Sequence, residues 1–207
     1  MFELLHFLRK LVIRFGKNVW GSGQTPYATY RRLGYEDPAQ LFIIVALVAV
    51  YFFFVSPIKL HTFHPFLLTL NTSRLLTITL LTYLAICGFL VVVGRQFNAE
   101  VTLRGVLITW GYTLIPTLLW FLVTSIFFVI LPPPRHTTVA GTAFSLLYLA
   151  FSLSLLWWKG ILYYLTLRFA LKLDLMKIIL ISAFFLPLLF LYSLVLYEVG
   201  IFKVPFI

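Results

Sequence analysis

The sequence predicts an all-α membrane protein, a five-transmembrane-helix bundle preceded by an N-terminal amphipathic interfacial helix. Three observations carry that prediction. Hydrophobic residues make up 62% of the 207 positions and charged residues 11%, too few charges to cover the surface of a soluble domain. Apolar stretches recur five times, each long enough to cross a hydrocarbon core, which requires ~20 residues, and the third and fourth longer than that. The first nineteen residues follow a different rule, with cations and apolar side chains segregated at helical spacing.

Residues Met1 to Val19 place Leu4, Leu8, Leu11, Val12 and Phe15 on one side of a helix, with Glu3, His6, Lys10, Arg14 and Lys17 along the other. Near an anionic leaflet each cation adds about 1 kcal/mol of attraction, which makes Arg9, Lys10, Arg14 and Lys17 the expected anionic-lipid surface. The alternative is a helix packed on the bundle's own cytoplasmic face. Arg9, Lys10 and Arg14 interrupt the apolar residues and no small-residue cleavage site follows, so the segment does not read as a signal peptide and is expected to be retained. GSGQTPYATYRRLGYEDP, with its glycines and two prolines, reads as an irregular connector. Glu36 and Asp37 before Pro38 suit the capping of a helix start, and the alternative is an acidic docking surface. Residues 1–37 therefore form a basic cytoplasmic segment and connector, ahead of a membrane domain at 38–200.

The first span covers about 39–56 and ends at Pro57. In the loop beyond it, His61 and His64 stand three apart. Even with His136 from another loop on that side they make at best an incomplete metal site, and no metal or cofactor is expected. The second span, 75–93, carries Thr77, Thr79 and Thr82, whose hydroxyls can bond their own helix or a neighbour, and Cys87 in a packing role. The third, 104–131, opens with Glu100 and Arg104 one turn apart and contains Gly111, Tyr112 and Pro116. Pro116 donates no backbone hydrogen bond and crowds the carbonyl of Tyr112, so a kink is expected there with a neighbouring helix against it. A rigid turn, Leu131-Pro132-Pro133-Pro134-Arg135, follows. On the fourth span, 139–167, Ala143 with Ala150 and Ser145 with Ser152 recur every seven residues, a stripe for close helix approach. Lys159, after Trp157 and Trp158, is the one basic residue well inside a span. It either snorkels to the interface or faces a polar cleft able to hold a lipid phosphate. The fifth span, 178–199, has Pro187 as a second kink and Glu198 near its far end, and 201–207 is a short external tail.

The order Gly-Tyr-Thr-Leu-Ile-Pro at Gly111 to Pro116 resembles the GYxLxP signature of Yip1-domain membrane proteins. The basic N-terminal segment, the five apolar stretches and the tryptophan-bearing fourth stretch agree with it, over roughly Pro38 to Gly200. The chain departs from the eukaryotic members in lacking a long cytoplasmic region and a DLYGP-like motif, GYEDPAQLF standing at a comparable place. What the resemblance implies is a compact, prokaryotic-type member in a plasma membrane. Its role would be non-enzymatic, a membrane-organising or trafficking-like adaptor that interacts with lipids or partner proteins. The rival is a small transporter or lipid-handling protein with a cleft between the third, fourth and fifth spans, built around Gly111, Tyr112, Pro116, Trp157 and Lys159.

Eleven of the sixteen lysines and arginines fall on the N-terminal segment and the second and fourth loops, against Lys59, Arg74, Arg135 and Lys203 on the other side. The positive-inside rule then puts the N-terminus in the cytoplasm and the C-terminus outside. The net charge of +10 is spread along segments that flank lipid rather than gathered on one soluble face, which favours anionic headgroups over nucleic acid as partner. A protein partner or a second copy of the chain is also compatible. The chain has six carboxylates, with no paired-acid, Ser-His, P-loop or dinucleotide arrangement among its residues, so no enzyme is expected.

Overall fold

In hydrocarbon every backbone amide must be satisfied within its own segment, and long runs of leucine, isoleucine, valine and phenylalanine have one way to do this, as helices. The computed structural model describes residues 2–55, 65–97, 100–130 and 139–200. Its helices are α1 (Phe2–Gln24), α2 (Pro26–Leu33), α3 (Gln40–Val50, continued by a π-helical turn Tyr51–Val55), α4 (Pro65–Phe97), α5 (Leu103–Ile130), α6 (Val139–Phe169) and α7 (Leu175–Glu198). Among the described residues there is no strand, and four helices, α4 to α7, are long and apolar enough to cross a membrane. α3 is apolar but shorter, over Gln40–Phe53. The histidines His61, His64 and His136, the triple-proline turn and the tail at 201–207 lie outside the described residues.

α5 is the axis of the molecule. Gly105, Val106, Ile108 to Thr113 and Pro116 are all buried, because neighbours cover this helix on both sides. One face joins Val106 and Trp110 to Cys87, Leu90 and Val91 of α4, to Leu171 and Leu173 of the α6–α7 turn, and to Ile178, Ile181 and Phe185 of α7. The other joins Ile108 and Tyr112 to Phe15 of α1, Tyr30 and Leu33 of α2, Ile44 of α3, and Leu162 and Leu165 of α6. Pro116 interrupts no element, since α5 is continuous across it.

The expected irregular connector is helical over most of its length. α1 runs on through the glycines to Gln24, and Pro26 opens α2 at a first-turn position where its missing amide costs nothing. Burial of Thr29, Tyr30 and Leu33 selects the helix, a face too short to show as periodicity in the sequence. α4 begins well before the expected Leu75, its added turns anchored where the Thr72 hydroxyl donates to the Phe52 carbonyl at 3.3 Å. Of the small-residue stripe on α6, Ser152 meets a neighbour, accepting from Trp120 Nε1 at 2.9 Å, whereas Ala143, Ser145 and Ala150 are exposed.

The basic segments meet at one end. Arg104 Nη2 donates to the Glu36 carbonyl at 2.8 Å, Lys172 pairs with Glu100, and Lys177 lies 5.7 Å from the centre of the Phe97 ring. The Lys172 ammonium holds the exposed Glu100 carboxyl below the ordinary carboxylate range. α3 starts near this end, beside Tyr112. Its π turn closes far along α5, where Tyr51 and Ser125 share a hydroxyl contact of 3.4 Å, so α3 runs lengthwise beside its neighbours.

Candidate functional site

Two constellations flank α5, one on each face. The first is a polar cluster joining α1, α2, α3 and α5, buried at Asn18, Gln40 and Tyr112 and open to the surface at Arg32. Asn18 Nδ2 donates to Glu36 Oε2 at 2.6 Å and to Gln40 Oε1 at 3.0 Å, and Gln40 Nε2 donates to the same Glu36 oxygen at 2.6 Å. Arg32 ties the ring from α2, through Nη2 to Asn18 Oδ1 at 2.8 Å and Nε to Glu36 Oε1 at 2.9 Å. The Tyr112 hydroxyl closes it by donating to Gln40 Oε1. Asn18 and Gln40 are fully buried, so the bonds they exchange replace water that neither can reach. Tyr30 donates to the Thr109 carbonyl at 3.3 Å, and burial pushes its phenol well above the ordinary tyrosine pKa, keeping it a neutral donor.

Gly111 lets α3 approach this face. A Cβ there would stand 2.7 Å from Leu41 Cδ2 and 3.2 Å from Ile44 Cδ1. Of the acidic pair, Asp37 caps, its Oδ1 accepting from the Ala39 amide at 2.9 Å, while Glu36 belongs to the buried ring.

The second constellation is a partly open cavity of about 310 Å³ between α4, α5, α6 and α7. Each helix contributes a stripe at one-turn spacing: Thr79, Thr82, Tyr83 and Ile86 from α4; Trp110, Thr113 and Leu114 from α5. α6 adds Leu156, Lys159, Gly160 and Tyr163, and α7 adds Leu186, Leu189, Tyr192 and Leu196. Most wall hydroxyls are engaged by protein: Thr82 with Tyr192 at 2.7 Å, Tyr163 with Ser182 at 2.9 Å, Thr113 with the Trp110 carbonyl at 2.7 Å, and Tyr83 with the Leu107 carbonyl. The Thr79 hydroxyl is buried with no hydrogen-bond partner among the described residues.

The expected cleft set therefore divides. Lys159 lines the cavity; Gly111, Tyr112, Pro116 and Trp157 do not. Successive residues of a helix point about 100° apart, so Tyr112 turns to the opposite face of α5 from Trp110, Gly111 sits at the flank with its Cβ position 3.3 Å from the Tyr83 hydroxyl, and Pro116 is buried in α5 away from the cavity wall. Trp157 is 75% exposed on the outside of α6, and its neighbour Trp158 points inward, donating from Nε1 to the Ser22 carbonyl of α1 at 3.0 Å. The cavity also takes a wall from α4, beyond the three helices expected.

On α1, Arg9, Lys10, Arg14 and Lys17 are all exposed. Three sectors divide the helix. Leu11, Phe15, Asn18 and Ser22 are buried against the protein, Leu5, Leu8 and Val12 form an exposed apolar face, and Lys10, Arg14 and Lys17 lie roughly opposite that face by the 3.6-residue repeat. Asn18, Arg32 and Gln40 were not among the expected site residues. The available signal was a lone asparagine on an apolar helix face and a glutamine at the head of an apolar run. Comparisons with protein families, with characterised proteins and with solved structures gave no match.

Proposed function

We propose that this chain is a non-enzymatic integral membrane protein of the Yip1 type, which organises membrane through a surface helix resting in the cytoplasmic leaflet. The observation that carries the reading is the three-sector division of α1. An apolar face opposite a cationic one is the pattern of a helix lying in the headgroup plane, and the sector between them is occupied by the bundle. Leu5, Leu8 and Val12 would sink toward the acyl chains while Lys10, Arg14 and Lys17, with Arg9 at the flank, attract anionic lipid. In this reading α3 crosses the membrane with the four longer helices, giving five crossings of a prokaryotic plasma membrane with the N-terminus in the cytoplasm and the C-terminus outside.

Spin labels at Val12 and Lys17 of the full chain, reconstituted in vesicles containing phosphatidylglycerol, test the surface helix; Cys87 is buried and can stay. The Val12 label should be open to oxygen and shielded from a water-soluble nickel chelate, and the Lys17 label the reverse. Equal access of the chelate to both positions would show α1 to be a solvated helix, and the proposal would fall.

A further inference from the structure

We propose that the cavity between α4, α5, α6 and α7 is a binding site for a single-chain amphiphile with an anionic head, the head held by Lys159 and the chain running toward Leu196. The site is distinct from the α1 surface and rests on the membrane reading only for the source of its ligand.

The chemistry of the wall selects the class. Its volume, about 310 Å³, sits at the low end of the ~300–1,000 Å³ of small-molecule sites, which suits one acyl chain better than two. Leu114, Leu156, Leu186, Leu189 and Leu196 offer an apolar surface without hydrogen-bonding demands. The lysine is the charged residue of the lining, and a cation set in an apolar wall is stabilised by an anion brought to it.

Position along the bundle gives the orientation. Counted from the α6–α7 turn at the helical rise, Lys159 lies about 15 Å in and Leu196 about 30 Å in, leaving about 15 Å of cavity for the chain. Trp158, next to the lysine, is bonded to Ser22 of α1, so the ammonium stands near the depth at which α1 docks. An anionic head that reaches the ammonium lies inside the span, below the headgroup layer, and a fatty acid carboxylate and a lysophospholipid phosphate both satisfy it.

The test is equilibrium binding of radiolabelled oleate and, separately, lysophosphatidylglycerol to the full chain in phosphatidylcholine nanodiscs, with empty discs subtracted. Saturable binding near one per chain is expected for at least one of them. Oleate alone identifies a carboxylate site, and lysophosphatidylglycerol alone or both a site that admits phosphate. Lys159→Met should weaken binding about tenfold or more and Lys159→Arg should retain it, while Leu189→Trp should block it by filling the cavity. Oleyl alcohol, which has the chain without the charge, should compete at least about tenfold less well than oleate. Absence of saturable binding by both probes overturns the proposal. So does wild-type affinity in both Lys159→Met and Leu189→Trp when circular dichroism shows both folded, or equal competition by oleyl alcohol. The Val12 and Lys17 spin-label pattern is read on the same variants, so failure of the cavity and failure of the surface helix are told apart.

Discussion

Gly111 stands at a close approach of α3 to α5, and the atoms in the way of a side chain there are the tips of Leu41, Ile44 and, from α4, Tyr83. A methyl group can push those tips aside, and alanine also relieves glycine's conformational cost in a helix, so Gly111→Ala should change stability by less than about 1 kcal/mol. Gly111→Leu cannot be absorbed that way and should destabilise by about 1–3 kcal/mol. Gly88 has no atom within 4 Å of its missing Cβ, and Gly88→Ala should therefore stabilise by roughly 0.5–1 kcal/mol. Thermal unfolding of the three variants in one detergent checks the ranking, and equal midpoints for Gly111→Leu and wild type would contradict the close approach. Gly111 and Tyr112 are visible in the sequence as a unit, but their task is not. Sequence spacing marks Tyr112 as one turn from Pro116; only the fold brings Gln40, a residue 72 positions earlier, to its hydroxyl.

At the scale of elements, α1 is held to the bundle by bonds as much as by packing. Asn18, Arg32, Glu36, Gln40 and Tyr112 come from α1, α2, the connector, α3 and α5, so removing one leaves buried partners unsatisfied. Gln40→Leu should cost about 2–3 kcal/mol, and combining it with Asn18→Leu should cost much less than the sum of the singles, since the second substitution removes an already orphaned group. A double-mutant cycle on thermal unfolding measures this, and strict additivity would mean that the two side chains are not coupled. The long apolar helices were legible because lipid imposes a single solution on a run of twenty apolar residues; the ends of α5, α6 and α7 agree with the expected spans to within a few residues. α2 was not legible, because a helix of eight residues with a proline at its start and glycines around it has no local signal and is selected by the burial of Tyr30 and Leu33. The cavity was half legible. A lysine among tryptophans and leucines marked the place, but which neighbours enclose it depends on the way four helices meet.

For the whole molecule, the meeting of the N-terminal region with the α4–α5 and α6–α7 connections at one end groups the segments that hold eleven of the sixteen basic residues. If that end is cytoplasmic, Gly16→Cys should be blocked only by a permeant maleimide in intact cells, and Lys203→Cys by an impermeant one as well. Gly16 is suited to the label because a side chain there meets nothing within 4 Å. Labelling of both sites by the impermeant reagent would refute the orientation. The same end carries a consequence for biogenesis. One docking partner of α1 is made late: Trp158 follows Ser22 by 136 residues, so at synthesis rates of about 5–20 residues per second that contact waits on the order of ten seconds. Arg32, Glu36 and Gln40, within 22 residues of Asn18, come early enough to cover it, and under the proposed surface-helix reading the rest of α1 waits on the membrane. Under that reading, the greasy outer face of α1 would be a mooring for a nascent chain before it is a feature of the finished protein.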